Sequence, residues 1–102
     1  MTEEIKRLAE ILNQLAQQAY EQYEPLVNNI IASQNKDVNH ICRTLDYLLD
    51  FCYDDKMLLL YRRLCRYLLD IDPQATASYV KAYREMWDEE GTQFGKNKNP
   101  LQ

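Results

Sequence analysis

Glycine is almost absent from this chain: two in 102 residues, Gly91 and Gly95, both close to the C-terminus. Proline is scarcely commoner, at Pro25, Pro73 and Pro100. Sheets need turns, and turns draw on these residues. Their lack between residues 26 and 72 argues against a β-rich fold and for helices joined by tight polar connections. Also missing is any run of about 18–20 apolar residues, the length that spans a bilayer. The opening MTEEIKRLAEIL lacks the basic-then-apolar order of a secretory signal. Cys42, Cys52 and Cys65 are odd in number and widely spaced, which suits reduced thiols better than a disulfide framework. No membrane association and a cytoplasmic location are therefore expected.

The chain is as poor in catalytic groups. His40 is the only histidine, so a di-iron bundle, which needs a Glu-x-x-His from each of two helices, is out of reach. The cysteines lack zinc-ligand spacing. On a helix His40 and Cys42 diverge by about 160°, which defeats a thiol–imidazole pair. Ser33 and Ser78 sit in no nucleophile motif, and both glycines are too near the end to form a phosphate loop. Asp46, Asp50 and Asp54 step along one ridge without enclosing an ion, and a solvated acidic face is the expected reading. No enzyme activity, metal or cofactor is expected.

A global basic field is missing too, since the net charge is −4 and the pI about 4.9; nucleic acid is an improbable partner on that ground. What remains is ordinary for a folded domain, with 46% hydrophobic and 27% charged residues. The length suits one core. Residues 1–91 are expected to form a single all-α domain, a small antiparallel four-helix bundle, with a disordered polar tail at 92–102.

Helical spacing gives four elements, at roughly 3–33, 38–53, 55–70 and 73–90. In the first, Ile5, Leu8, Leu12, Leu15 and Ala19 fall on one stripe behind the Thr2-Glu3-Glu4 start. Pro25 should break it, yet Tyr23, Leu26 and Ile30 keep the phase, so one long helix bent near Pro25 is expected. The second helix carries Val38, Ile41, Leu45, Leu48, Leu49 and Cys52. A straight continuation to Leu69 would turn Leu58, Tyr61, Cys65 and Leu68 away from that stripe by about half a turn. The chain is therefore expected to fold back at Tyr53-Asp54-Asp55 as an αα-hairpin, with Asp55 as cap. The third helix is apolar nearly all round and should be central. Asp72-Pro73 opens the fourth, whose stripe is Thr76, Val80, Tyr83 and Trp87, flanked by Tyr79 and Met86; it stops at Gly91.

Two surfaces are left for partners. Lys56, Arg62, Arg63 and Arg66, with Tyr67 beside them, form the one polar strip of the third helix. Arginine with tyrosine suits an acidic protein surface or phosphate, and the simpler alternative is pairing with the chain's own acids, Asp70 or the first helix's glutamates. The first helix, about 46 Å long against about 24–27 Å for the others, cannot be covered end to end. Its stripe of Ile5, Leu8, Ile11, Leu12, Leu15 and Ala19 is the expected homodimer interface. Eight tyrosines exceed what one small core needs, and some are expected at an interface. The function read from these features is a non-enzymatic, self-associating protein–protein interaction module. The rival is a nucleic-acid-associated accessory protein acting through Arg62, Arg63 and Arg66.

Overall fold

Three aspartates start three of the helices. In the computed structural model, which describes residues 2–88, the side chain of Asp37 accepts from the His40 N–H, Asp54 from the Met57 N–H and Asp72 from the Ala75 N–H. Each satisfies a first-turn donor that has no partner within its helix. The elements are α1 (Thr2–Ala32), α2 (Val38–Leu49), α3 (Asp55–Leu69) and α4 (Pro73–Trp87). Pro73 occupies the first turn of α4, where its missing N–H costs nothing. The fold is an all-α, antiparallel four-helix bundle.

Two expected boundaries move. The hairpin between α2 and α3 exists, but Asp54 caps it and Asp55 is already helical. α2 ends at Leu49 rather than 53 because the chain tightens into successive short turns, Phe51 N–H to Leu48 O, Cys52 N–H to Leu49 O and Asp54 N–H to Phe51 O. Asp54 therefore belongs to the cap and not to an acidic ridge on α2. α4 reaches Trp87, and the expected stop at Gly91 and tail at 92–102 lie outside the described residues.

The α1–α2 turn works without glycine. Gln34 takes a φ of 56°, its N–H bonds the Ile31 carbonyl, and the Asn35 N–H reaches back to Ile30. This pair of bonds is the Schellman ending, usually built on glycine because a Cβ in the left-handed region is costly. The turn is then pinned from both sides. The Asn35 side chain accepts from the Asp37 N–H at 2.8 Å, and its carbonyl accepts from the Tyr67 hydroxyl at 2.7 Å.

α3 is the centre, though it is not apolar all round as expected: Leu59 is 60% and Leu69 49% exposed. Met57, Leu60, Tyr61, Leu64, Cys65 and Leu68 are all buried and meet α1, α2 and α4. Ile41, Leu45 and Leu48 of α2 and Ala16, Ala19, Val27 and Ile30 of α1 complete the same cluster, with Leu58 at its edge. α1 passes through Pro25 as one helix. Glu21 and Pro25 are exposed, so the carbonyl that proline deprives of a partner faces solvent, where water replaces the lost bond.

The turn at residue 34 generates a prediction. Gln34→Gly should raise stability by about 0.5–1 kcal/mol, because it removes the left-handed penalty at some cost in unfolded-chain entropy. Chemical denaturation measures it. A loss of stability would show that the Gln34 side chain contributes more than its backbone costs.

Candidate interaction surfaces

The basic strip of α3 is divided by its neighbours. Lys56 Nζ donates to Gln17 Oε1 at 2.9 Å and stands 5.4 Å from the centre of the Tyr20 ring. Arg63 donates to Asn28 Oδ1 at 2.8 Å. With Tyr67 bound to Asn35, these three expected partner-binding residues are engaged along α1. They are held by amides and a carbonyl rather than by the glutamates or Asp70. Their order along α3 also shows that α3 runs parallel to α1, as an up-down-up-down bundle requires.

Arg62 and Arg66 point the other way. Both are exposed and line a groove of about 630 Å³ between α3 and α4. Leu58, Cys65, Leu69, Val80 and Tyr83 give it an apolar lining, Arg84 adds a third guanidinium from α4, and Asp88 is the one carboxylate. Arg84 escaped the sequence reading because that reading took one helix at a time. The available signal was its i+4 position from Val80, which places the two on one face.

α4 itself is rotated from expectation. Thr76 is buried and Ala75, Tyr79 and Tyr83 are half-buried, whereas Val80 is 44% and Trp87 37% exposed. Hydrogen bonds set the rotation. The Tyr79 hydroxyl lies 2.8 Å from Asp46 Oδ1 and 3.0 Å from the Cys42 carbonyl, and Trp87 Nε1 donates to the Leu49 carbonyl at 2.6 Å. Tyr61 donates to the Tyr79 carbonyl at 2.8 Å, and Tyr53 to that of Leu12 at 2.9 Å. Tyr53, Tyr61, Tyr67 and Tyr79 therefore tie one helix or turn to another within the monomer, a use for tyrosine that the sequence reading gave to an interface. Asp46, expected to be merely solvated, is one end of such a tie.

The second surface is the N-terminal half of α1. Every residue from 2 to 15 is exposed, and Ala16 is the first that is buried. Ile5 is 57% exposed, Leu8 56%, Ile11 46%, Leu12 38% and Leu15 46%. Ala19 departs from the expected set: at 7% exposure it belongs to the monomer's own core. Steps of seven and eleven residues return almost to the same side of a helix. Ile5 and Leu12 therefore share a line with Ala19 and Ile30, and the bare stripe continues the face that packs on the bundle. Where the two meet, Tyr53 grips Leu12, with the Trp87 ring 5.8 Å from its own.

The thiols are chemically quiet. Burial pushes Cys52 up to about 12 and Cys65 up to about 11, so both stay protonated and weakly nucleophilic at neutral pH. Cys42 is also raised, by burial first. The His40 backbone serves the Asp37 cap. Among the described residues no group of three or more His, Cys, Asp or Glu side chains is placed to hold a metal ion.

Comparison with known proteins returned no match: no family model, curated protein or solved structure is similar to this chain at a significant level.

Alkaline pH tests the thiol environment. In the unfolded chain these thiols ionise near their ordinary value of 9.0, while in the folded chain Cys65 and Cys52 hold their protons to about 11 and 12. The folded state binds more protons between those limits, so stability is intact below pH 9 and falls as pH rises through that window. Urea midpoints measured from pH 7 to 11 should drop above pH 9. Cys52→Ala with Cys65→Ala should lessen the drop most between pH 9 and 10, below the range where the buried tyrosines, also raised by burial from 10.0, begin to contribute. An unchanged slope in the double variant would contradict the burial of these thiols.

Proposed function

We propose that this chain is a non-enzymatic interaction module that pairs with a second copy of itself through the bare half of α1. The observation that carries the reading is the unbroken stripe of Ile5, Leu8, Ile11, Leu12 and Leu15, all at least 38% exposed on a helix that outruns its own bundle. Fully burying such a side chain is worth about 1.5–3 kcal/mol. Covering the remaining half of each on both copies gives roughly 8–15 kcal/mol, comparable to the roughly 4–15 kcal/mol that association costs. Pairing of this kind is reversible and concentration-dependent.

Geometry favours an antiparallel pair. The stripe faces the same side as the bundle, so two parallel overhangs would drive the bundles into one another. Antiparallel overhangs, related by a two-fold axis near Leu8, place Ile5 opposite the second copy's Leu12. Each N-terminus then meets the end of the other bundle, where Phe51, Tyr53 and Trp87 cluster. Closed two-fold pairs are also the commonest assembly. The cytoplasmic setting belongs to the same proposal; no helix among the described residues is long and apolar enough to cross a membrane. The nucleic-acid alternative has less support, because Arg63 is engaged with Asn28, Arg62 and Arg66 flank an apolar groove, and the net charge of −4 opposes phosphate.

Sedimentation equilibrium at micromolar to submillimolar concentration tests the pairing. The mass should rise with concentration from 12.2 kDa toward twice that value. Ile5→Glu/Leu8→Glu should hold it at the monomer with helicity unchanged, since glutamate is a good helix former and both sites are exposed. A wild-type chain that stays monomeric throughout would refute the proposal.

A further inference from the structure

We propose that the groove between α3 and α4 docks a short acidic amphipathic helix supplied by a partner protein. This surface is separate from the self-pairing stripe, because α1 lies against the Lys56–Arg63 side of α3 and the groove opens toward α4.

The lining calls for an apolar face. Leu69 is 49% and Val80 44% exposed, with Leu58 and Tyr83 half-buried between them. They form a trough, one wall from each helix, that the chain's own described residues leave open to solvent. From Leu58 to Leu69 it follows three turns of α3, about 17 Å, which is the footprint of a peptide helix of roughly 12 residues.

The cations call for acids, and their placement calls for more than one. Arg62 and Arg66 stand one helical turn apart, with side chains rooted about 5–6 Å from each other. Arg84 faces them from α4. Arg62, Arg66 and Arg84 are all exposed. A single-headed amphiphile, such as a fatty acid, has one charge at one end and would leave the others unmatched. A helix carrying carboxylates one turn apart, beside leucine-like residues at i, i+3 or i+4 and i+7, matches both the spacing and the trough. Three arginines against Asp88 leave the lining at a net charge of +2 in a chain whose total is −4. That local reversal of sign steers an acidic segment to this face. Arginine also suits carboxylates through its paired donors.

The chain's own α1 overhang is a poorer occupant. Glu4 and Arg7 border its apolar stripe, while Glu3, Lys6 and Glu10 lie behind it, so its charges are mixed where the groove is net basic.

A labelled 14-residue helical peptide, with leucines on one face and glutamates one turn apart at its edge, is the probe. Fluorescence anisotropy is read against the wild-type chain and against Ile5→Glu/Leu8→Glu, which removes self-pairing without touching the groove. The proposal expects micromolar binding to both proteins, weakened severalfold between 50 and 300 mM salt, with amide shift changes confined to α3 and α4. Arg62→Gln/Arg66→Gln/Arg84→Gln should lose at least tenfold, as should Val80→Glu, whose exposed position leaves folding intact. Binding to wild type but not to the monomeric variant would overturn this proposal and leave the self-pairing reading standing. Equal binding of a scrambled or lysine-substituted peptide would overturn it, as would displacement by decanoate or a DNA duplex at matched concentration. Loss of self-association in the triple arginine variant would assign the groove to a second copy and overturn it equally.

Discussion

α3 buries one broad face against all three other helices, and the rest of the molecule is arranged around that constraint. Six of its fifteen residues are buried, and they fall within about 140° on one side of the helix axis, with Lys56, Leu59, Arg62, Arg63 and Arg66 exposed on the other. A helix with so wide an apolar face is unstable alone and needs several neighbours to cover it. α2 returns against it through the tight turn capped by Asp54, α4 returns through Asp72-Pro73, and α1 packs along the same broad face. Tyrosine hydroxyls fix the neighbours to one another. Tyr67 reaches the Asn35 carbonyl in the α1–α2 turn, while Tyr53, Tyr61 and Tyr79 reach the carbonyls of Leu12, Tyr79 and Cys42 within neighbouring helices. Each bond selects one rotation among several that burial alone would tolerate.

A second consequence is a mismatch of lengths. α2, α3 and α4 have 12, 15 and 15 residues, about 18–22 Å, whereas the 31 residues of α1 run about 46 Å. Three short helices shield one long helix only from Ala16 onward. The same apolar face thus does two things along its length, as core in the C-terminal half and as open surface in the N-terminal half. Because that surface continues the core-facing line, anything that covers it also abuts the aromatic end of the bundle. The groove between α3 and α4 arises differently: Tyr79 and Trp87 are turned toward α2, and Val80 and Arg84 are left facing Arg62 and Arg66.

The features legible in the sequence are those decided within a helix or at its ends. The four helices, the Asp72-Pro73 start, the central place of α3 and the exposed run from Ile5 to Leu15 all follow from periodicity, capping and length. Features decided between helices were not legible. Nothing local shows that Lys56 will meet Gln17, that Arg63 will meet Asn28, or that Ala19 will be enclosed while Leu15 is not. The rotation of α4 depends on where Asp46 and Leu49 lie, so the stripe through Val80 was off by about one position and Arg84 went unnoticed. The Schellman ending at Gln34 was not legible for another reason: such an ending normally announces itself by glycine, and here the surrounding hydrogen bonds hold a side-chain-bearing residue in its place.

The central claim is that one continuous helix serves the monomer's core along one half and a second copy along the other. Amide hydrogen exchange resolved along α1 at two protein concentrations tests this most directly. The account predicts that amides from about residue 17 to 32 are protected equally at 5 μM and 500 μM, while those from about 5 to 15 exchange rapidly in the dilute sample and become protected in the concentrated one. Protection of the N-terminal half that does not change with concentration, or an N-terminal half unprotected at both, would contradict it.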